Sequence, residues 1–436
     1  MCGLILAKNF TKAEVQLVLD AMEYRGKDGK QGITERGGWV LGHVRLAIQD
    51  LTDRSSQPSK TKDFDLAYVG EVFNLPEGLN EIETVVRTYD KEGAFGFQKF
   101  DGFWSVVAVH ESGFAAIFTD FLGIKPLYYW AEKDIVCSEL DAMFQLAPRP
   151  KLDELYFSNV IKWGYDPTGR TPYLGIKQLP PGTVLQLRSQ GEPRFIPYWD
   201  WNHPQFKQLG SLHDELTQAT LNRLAGDREV ALLLSGGLDS SIIYHILKRE
   251  GKAVQAFSIE NGESEFLPPG VETLPIQHRL FDILGALEAM QAPIDLGSLV
   301  PQHHLAQALA AKGFNVCLSG DGADELFGGY RRAQEYDSQA SDVFMELPYY
   351  HFPRLDRVMM RETVELRSPF LSPRVIALAL RIPYEQRTSK QALKEAFKDI
   401  VPSQILNRPK LPLKTAAVIH GGTEYRKHLV ESFKCL

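Results

Sequence analysis

The first half of the chain alternates apolar and polar residues in short runs broken by Gly, Asp and Ser. Residues 3–7, 38–47, 66–69, 105–109 and 115–119 carry the pattern. A period of two predicts strands of antiparallel sheets. Residues 11–22 repeat instead at helical spacing, with Thr11 as the cap and Val15, Leu17, Val18 and Met22 apolar. Pro180-Pro181-Gly182 predicts a turn before a strand at 184–187, and the aromatic, proline-bearing stretch 197–206 predicts a crossing between domains. Ser211 then caps a helix whose stripe is Leu212, Leu216, Ala219 and Leu224. Beyond it the pattern changes. Residues 230–234 are continuously apolar, as in a buried parallel strand. Helical spacing through Ile242, Ile246 and Leu247 follows, then a strand at 254–259, a helix at 302–311 and a strand at 314–318. This alternation predicts a doubly wound parallel α/β sheet, which binds ligands at the carboxyl ends of its strands. Two glycine-rich turns, after Leu234 and after Leu318, stand at those ends.

A length of 436 residues predicts two domains, placed here at 1–205 and 206–436. Hydrophobic residues at 44% and charged residues at 24% are those of a globular protein. A net charge of −7 argues against a nucleic-acid partner. No apolar run is long enough to span a membrane, and residues 3–7 are too short for a signal peptide. The four cysteines are scattered with no CxxC pair, so neither a zinc site nor a disulfide framework is expected and the cytoplasm is the natural compartment. His303-His304 invites a metal reading, but neighbours on a helix face different ways, which favours a surface or core-edge role.

Candidate chemistry starts at Met1-Cys2-Gly3. If Met1 is removed, the Cys2 thiol lies beside a free α-amino group of pKa about 7.7–8.0, so base and nucleophile share one residue. The alternative is a small residue opening a buried strand. Downstream come Glu23-Tyr24-Arg25-Gly26-Lys27-Asp28, Gly42-His43-Val44-Arg45-Leu46, Gln57-Pro58, Gly70-Glu71-Val72-Phe73-Asn74 and Asp120-Phe121-Leu122-Gly123-Ile124-Lys125-Pro126-Leu127-Tyr128. In this order and spacing they resemble the glutaminase domain of class II, N-terminal-nucleophile amidotransferases. The resemblance implies a four-layer αββα sandwich (an Ntn fold) in which Cys2 attacks the glutamine amide. It implies that Arg45 pairs with the substrate α-carboxylate, that Gly70 and Glu71 line the pocket, and that Glu81 holds the α-amino group where the family has Asp. Val69 departs from the family's Asn-Gly-Glu: it has no side-chain donor for the oxyanion. Losing one such donor costs ~2.7–4 kcal/mol of barrier. Slow glutamine hydrolysis, or a rebuilt oxyanion site, is therefore expected.

Ser235-Gly236-Gly237-Leu238-Asp239-Ser240 follows an apolar strand and opens a helix, where small residues and aligned N–H groups suit a phosphate. It is neither a Walker A loop nor GxGxxG, and it resembles the PP-loop of ATP pyrophosphatases. The second turn, Leu318-Ser319-Gly320-Asp321-Gly322-Ala323-Asp324-Glu325-Leu326-Phe327-Gly328-Gly329-Tyr330, resembles the LSGxGxDExFGGY motif of the asparagine synthetase group. This resemblance implies that Asp239 and Asp324 meet at a Mg²⁺–pyrophosphate, as hard oxygen ligands would; helix capping is their other reading. It implies that Leu234, Ile259, Ser319 and Gly320 frame adenine and ribose, although Leu234 and Ile259 also read as sheet core. Glu365-Leu366-Arg367-Ser368-Pro369-Phe370-Leu371 resembles the family's E-x-R-x-P-F-L signature, and Lys390 matches a lysine near the phosphates. Lys394 reads as a helix-surface charge. Asp321 stands where synthetases often have a Glu that acts on the acyl-adenylate, and Ser372 where many have Asp. Tyr198, Trp199 and Trp201 read as packing.

From Cys2 to about Lys410 the chain thus resembles the glutamine-hydrolysing asparagine synthetases. The resemblance implies a cytoplasmic enzyme with small-molecule partners (glutamine, aspartate and ATP), Mg²⁺, and no nucleic-acid or membrane partner. Monomer and homodimer both stay open. The implied products are asparagine, glutamate, AMP and pyrophosphate, by way of a β-aspartyl-AMP. Rival expectations are a different carboxylate acceptor, free ammonia as the donor, a glutaminase or regulatory protein with a vestigial second site, or PP-loop transfer to tRNA, which lacks a CxxC here. Residues 261–275 and the chain beyond 410 read as trimmed or divergent, near the expected acceptor site.

Overall fold

The alternating runs of the first half pair into two six-stranded sheets. In the computed structural model, which describes residues 2–28, 30–189, 191–259, 266–274, 280–295, 297–330, 344–408 and 422–436, the first sheet is formed by Gly3–Lys8 (β1), Lys30–Arg36 (β2), Trp39–Arg45 (β3), Tyr128–Trp130 (β8), Ile135–Cys137 (β9) and Ile176–Gln178 (β10). Their spatial order is β10-β8-β9-β1-β3-β2. The second consists of Ser59–Lys60 (β4), Phe64–Val72 (β5), Gly102–His110 (β6), Ala115–Thr119 (β7), Thr183–Leu187 (β11) and Arg194–Pro197 (β12), in the order β12-β11-β7-β6-β5-β4. All pairings in both are antiparallel. Alternation sorts the side chains. Leu4, Leu6, Leu41, Val69, Val107 and Ile117 share the apolar cluster between the sheets, whereas Ile5, Ala7, Val40 and Val44 face Val15, Val18 and Leu19 of the helix Lys12–Ala21. Thr11 caps that helix through a reciprocal bond pair with Glu14. Leu17, expected in its apolar stripe, is 51% exposed; Leu19 is the buried residue on that face. A helix at Glu81–Glu92, boxed by Asn80 and Glu83, covers the second sheet with Ile82 and Val85. The result is a helix–sheet–sheet–helix sandwich.

The second half builds a parallel sheet from Val230–Leu233 (β13), Gln255–Ile259 (β14), Glu272–Leu274 (β15), Val316–Leu318 (β16) and Glu365–Arg367 (β17). Its order is β15-β14-β13-β16-β17. The winding reverses between β13 and β16, so the crevice of an open α/β sheet lies there. Both glycine-rich turns leave these two strands. The strand expected from residue 314 begins at Val316, because Gly313 and Phe314 bond back to the preceding helix.

Tyr198, Trp199 and Trp201 pack with Trp104, Phe121 and Phe206 at the crossing. One apolar cluster runs on from there, joining Trp104 and Phe118 of the second sheet to Leu232 and Leu318 of the parallel sheet. Residues 261–265, 275 and 411–421, part of the stretches read as divergent, lie outside the described residues; Thr423–Lys434 beyond them is a helix. Among the described residues no helix is long and apolar enough to cross a membrane.

Candidate active sites

Cys2 leads into β1, which antiparallel pairing lays beside β3, so the thiol ends near the chain just past β3. Its Sγ is 3.9 Å from the Leu46 carbonyl. Burial pushes the thiol up to about 11, the Glu71 carboxylate adding to the effect. Arg25, from the first motif, donates from Nε to the Cys2 carbonyl at 3.0 Å. Gly70 lies on β5 at φ +138°, and a Cβ there would sit 2.0 Å from the Phe103 carbonyl oxygen, so only glycine fits this close crossing. Val69 belongs to the same buried apolar cluster as Cys2 and has no polar atom to offer.

Three side chains converge beside these strands. Gln49 Nε2 donates to Glu71 Oε2 at 2.7 Å and to Glu81 Oε1 at 2.8 Å. Glu81 Oε1 also accepts the Val72 N–H at 2.8 Å. Burial holds Glu71 well above the usual carboxylate range, with Glu365 and Glu81 adding their repulsion. Burial likewise pushes Glu81 up to about 7, against hydrogen bonds from Tyr68 and Val72. Two buried carboxyls thus share one neutral amide. Arg45 spends its fork on backbone: Nη1 donates to Thr52 O at 2.6 Å and Nη2 to Asp50 O. Sequence reasoning missed Gln49, a polar residue closing an otherwise apolar run that gave no cue.

In the parallel half, Ser235 N–H donates to Ser240 Oγ at 3.2 Å and Gly237 N–H to Ser235 Oγ at 3.3 Å, which folds the first turn back on the start of the helix Leu238–Arg249. Arg408 Nη1 donates to Gly236 O at 2.8 Å. The second turn presses against the first: a Cβ on Gly320 would be 2.8 Å from Asp239 Cβ. Leu234 and Ile259 sit in the apolar core behind the turns. Lys390 closes the site. Its Nζ is 2.5 Å from Asp239 Oδ2 and 2.6 Å from Asp324 Oδ1. Burial alone would lower the ammonium pKa; the two carboxylates outweigh it and raise it. Ser389 and Lys390 reach this point at φ +54° and +61°, left-handed backbone that costs of order 1–3 kcal/mol per residue. Their N–H groups are tied to Gly328 O and Phe327 O, both at 2.9 Å. Asp321 accepts from Ser319 Oγ at 2.7 Å and from Arg354 Nη2 at 2.9 Å.

Ionic links cross between the halves near these sites. Arg367, on β17, gives its carbonyl to the Ser319 N–H at 3.0 Å, while its Nη2 lies 3.3 Å from Glu71 Oε2. Arg25 pairs with Asp356 at 2.9 Å, and Lys125 with the same carboxylate at 3.0 Å. His303 and His304 lie instead beside Glu362 and Asp282, each at 3.5 Å. Among the described residues no cluster of three or more His, Cys, Asp or Glu is arranged to hold a metal ion.

Residues 1–199 match the glutamine amidotransferase domain family, and residues 211–348 and 336–432 match the asparagine synthase family. A probable glutamine-hydrolyzing asparagine synthetase of Acanthamoeba polyphaga mimivirus is 25% identical over 467 residues, covering 94% of this chain and 84% of that protein. Asparagine synthetase B of Escherichia coli is 26% identical over 450 residues, 89% of this chain and 76% of that one. The amidase chry2 of Gibberella zeae is 24% identical over 489 residues, 96% of this chain and 69% of that one. The paired glycine turns on a parallel sheet, preceded by an antiparallel sandwich that begins at Cys2, thus have their counterpart in known sequences: this chain belongs to the asparagine synthase family, an ATP-using group, and carries a glutamine amidotransferase domain ahead of that match.

Proposed function

We propose that this protein converts aspartate to asparagine at the expense of ATP, drawing nitrogen from glutamine or from free ammonia. The residues divide the work at about residue 205. In the second half, the aspartate β-carboxylate attacks the α-phosphorus of ATP, releasing pyrophosphate and leaving β-aspartyl-AMP. Ammonia then displaces AMP. Ser235, Gly236, Gly237, Ser240, Ser319 and Gly320 cradle the nucleotide, with Leu234 and Ile259 behind the base. The donor set fits a Mg²⁺ arriving with the triphosphate: two carboxylates plus phosphate oxygens are what that ion takes, so Asp239 and Asp324 would hold it and it would offset phosphate charge. Lys390 supplies a fixed positive charge where charge develops. Asp321 is poised at the acyl group. In the first half Cys2 attacks the glutamine amide, with Gly70 N–H as an oxyanion donor, Arg45 toward the α-carboxylate, and Glu71 and Glu81 toward the α-ammonium.

The observation that supports this most is the convergence of Asp239, Asp324 and Lys390 between the two glycine turns. The test is pyrophosphate release from ATP with aspartate present or absent, using ammonia and then glutamine. Aspartate-dependent release with either donor upholds the reading; release that ignores aspartate overturns it. Glutamine-driven release is expected to vanish in Cys2→Ala while ammonia-driven release persists.

A second acceptor is a specific rival. Asp321 is one methylene shorter than the Glu expected there, and a relative carries the name amidase rather than synthetase. A panel of carboxylates, read by the same pyrophosphate release, separates the two.

A further inference from the structure

Residues Arg354–Val358 form one π-helical turn in the second half. Positions i and i+2 on a helix do not share a face, and here they serve different sites. Arg354 donates from Nη2 to Asp321 Oδ1 at 2.9 Å and from Nη1 to Gln302 Oε1 at 2.7 Å. Asp356 points the other way. Its Oδ2 and Oδ1 accept from Arg25 Nη2 at 2.9 and 3.2 Å, and Oδ1 accepts from Lys125 Nζ at 3.0 Å. Arg25 in turn pairs with Glu139 through Nη1 and holds the Cys2 carbonyl through Nε. Arg25, Asp356 and Glu139 are each 1% exposed. The cluster balances two cations, Arg25 and Lys125, against two carboxylates, Glu139 and Asp356.

We propose that Asp356 is a positioning residue for Cys2, and that the turn carrying it couples the nucleophile to the ATP site through Arg354 and Asp321. The inference rests on the roles proposed above for Cys2 and Asp321. A guanidinium is a rigid planar fork. With Asp356 fixing one edge and Glu139 another, the third donor is aimed at the peptide of the nucleophilic residue, and the thiol follows that peptide. At the other end, a substrate that engages Asp321 competes with Arg354. Any shift of Arg354 moves Asp356, since only Leu355 separates them in a turn packed in the core. The turn is thus one element that both sites bias.

The test uses full-length protein with processed Cys2 and the variant Asp356→Asn, which keeps volume and removes charge. Glutamate release is expected to fall by about 100-fold in kcat, with the KM for glutamine little changed and ammonia-driven pyrophosphate release retained. A purely structural loss would lower both activities together, and that result overturns the proposal, as does wild-type kcat. Cys2 alkylation by iodoacetamide reads the coupling without needing turnover. In wild type its rate is expected to shift about 5-fold or more on adding ATP and aspartate; in Asp356→Asn it should not respond. An unchanged response in the variant overturns the coupling. Asp356→Glu, expected to restore part of kcat, guards against a folding defect. Should wild type release no glutamate at all, the functional reading of the first half falls, while the alkylation arm still decides the positioning.

Discussion

If glutamine binds as proposed, Gln49 sets how open the first site is. Its amide lies between Glu71 and Glu81, the place an incoming α-ammonium would take, so substrate must displace it. Gln49→Val is expected to lower the KM for glutamine several-fold, measured by glutamate release; an unchanged or higher KM would show that the amide is no barrier. The pH dependence follows from Glu81. Burial raises it to about 7, so at pH 6 it is mostly protonated and a poor acceptor for a cation, and at pH 8 it is ionised. The KM for glutamine should therefore fall as pH rises through that range, and the dependence should weaken in Glu81→Gln. The two glycine turns were legible because their pattern is written in neighbouring residues, whereas Arg45, read as a carboxylate partner, gives both Nη groups to backbone carbonyls. Gln49 was not legible, since a lone amide acquires meaning only from two carboxylates distant in sequence. The absence of a side-chain donor at Val69 was legible as well, because it is visible without a structure.

Among elements, the long strands declared themselves. β5 and β6 run nine residues each, of which 66–69 and 105–109 read as strand from the sequence, and β13 is continuously apolar. Strands such as β8, β9, β10 and β15, three residues apiece, are too short for any period to show. The π-helical turn was illegible too: its residues Arg-Leu-Asp-Arg-Val carry no period, and their placement is set by partners in both halves. The close approach of the two glycine turns yields a prediction at this scale. Gly320→Ala puts a methyl 2.8 Å from Asp239 Cβ, closer than packed carbons tolerate. The turns must part, which pulls Asp239 from Lys390. Pyrophosphate release is expected to drop by at least 10-fold while glutamate release stays near wild type, a change of about 1.4 kcal/mol in barrier.

Across the whole molecule, the halves are held by buried charge as well as by apolar contact. Arg223 takes Asp101 in both arms, at 2.8 and 3.0 Å, and Ser372 and Asn222 bond the same carboxylate. Burial alone would raise the pKa of Asp101; Arg223 outweighs it, and the result lies below the usual carboxylate value. A carboxyl lowered on folding stabilises fully above its unfolded pKa and loses that contribution as pH falls toward the folded one. Asp101→Asn is expected to cost about 3–5 kcal/mol in urea unfolding at pH 7. The gap between variant and wild type should narrow below pH 4. A gap that widens with acid would place the charge elsewhere. Periodicity and family resemblance foresaw the fold classes, but not this bond, which joins residues more than a hundred positions apart. The apolar cluster that passes unbroken from the second sheet into the parallel sheet has a consequence for enzyme engineering. Both halves supply that cluster, so a hybrid that grafts this ATP-using half onto another amidotransferase would leave Leu366 and Leu371 without Phe103 and Ile124, beside which they lie. Exchange of parts between relatives of this chain must therefore carry the seam along with the halves.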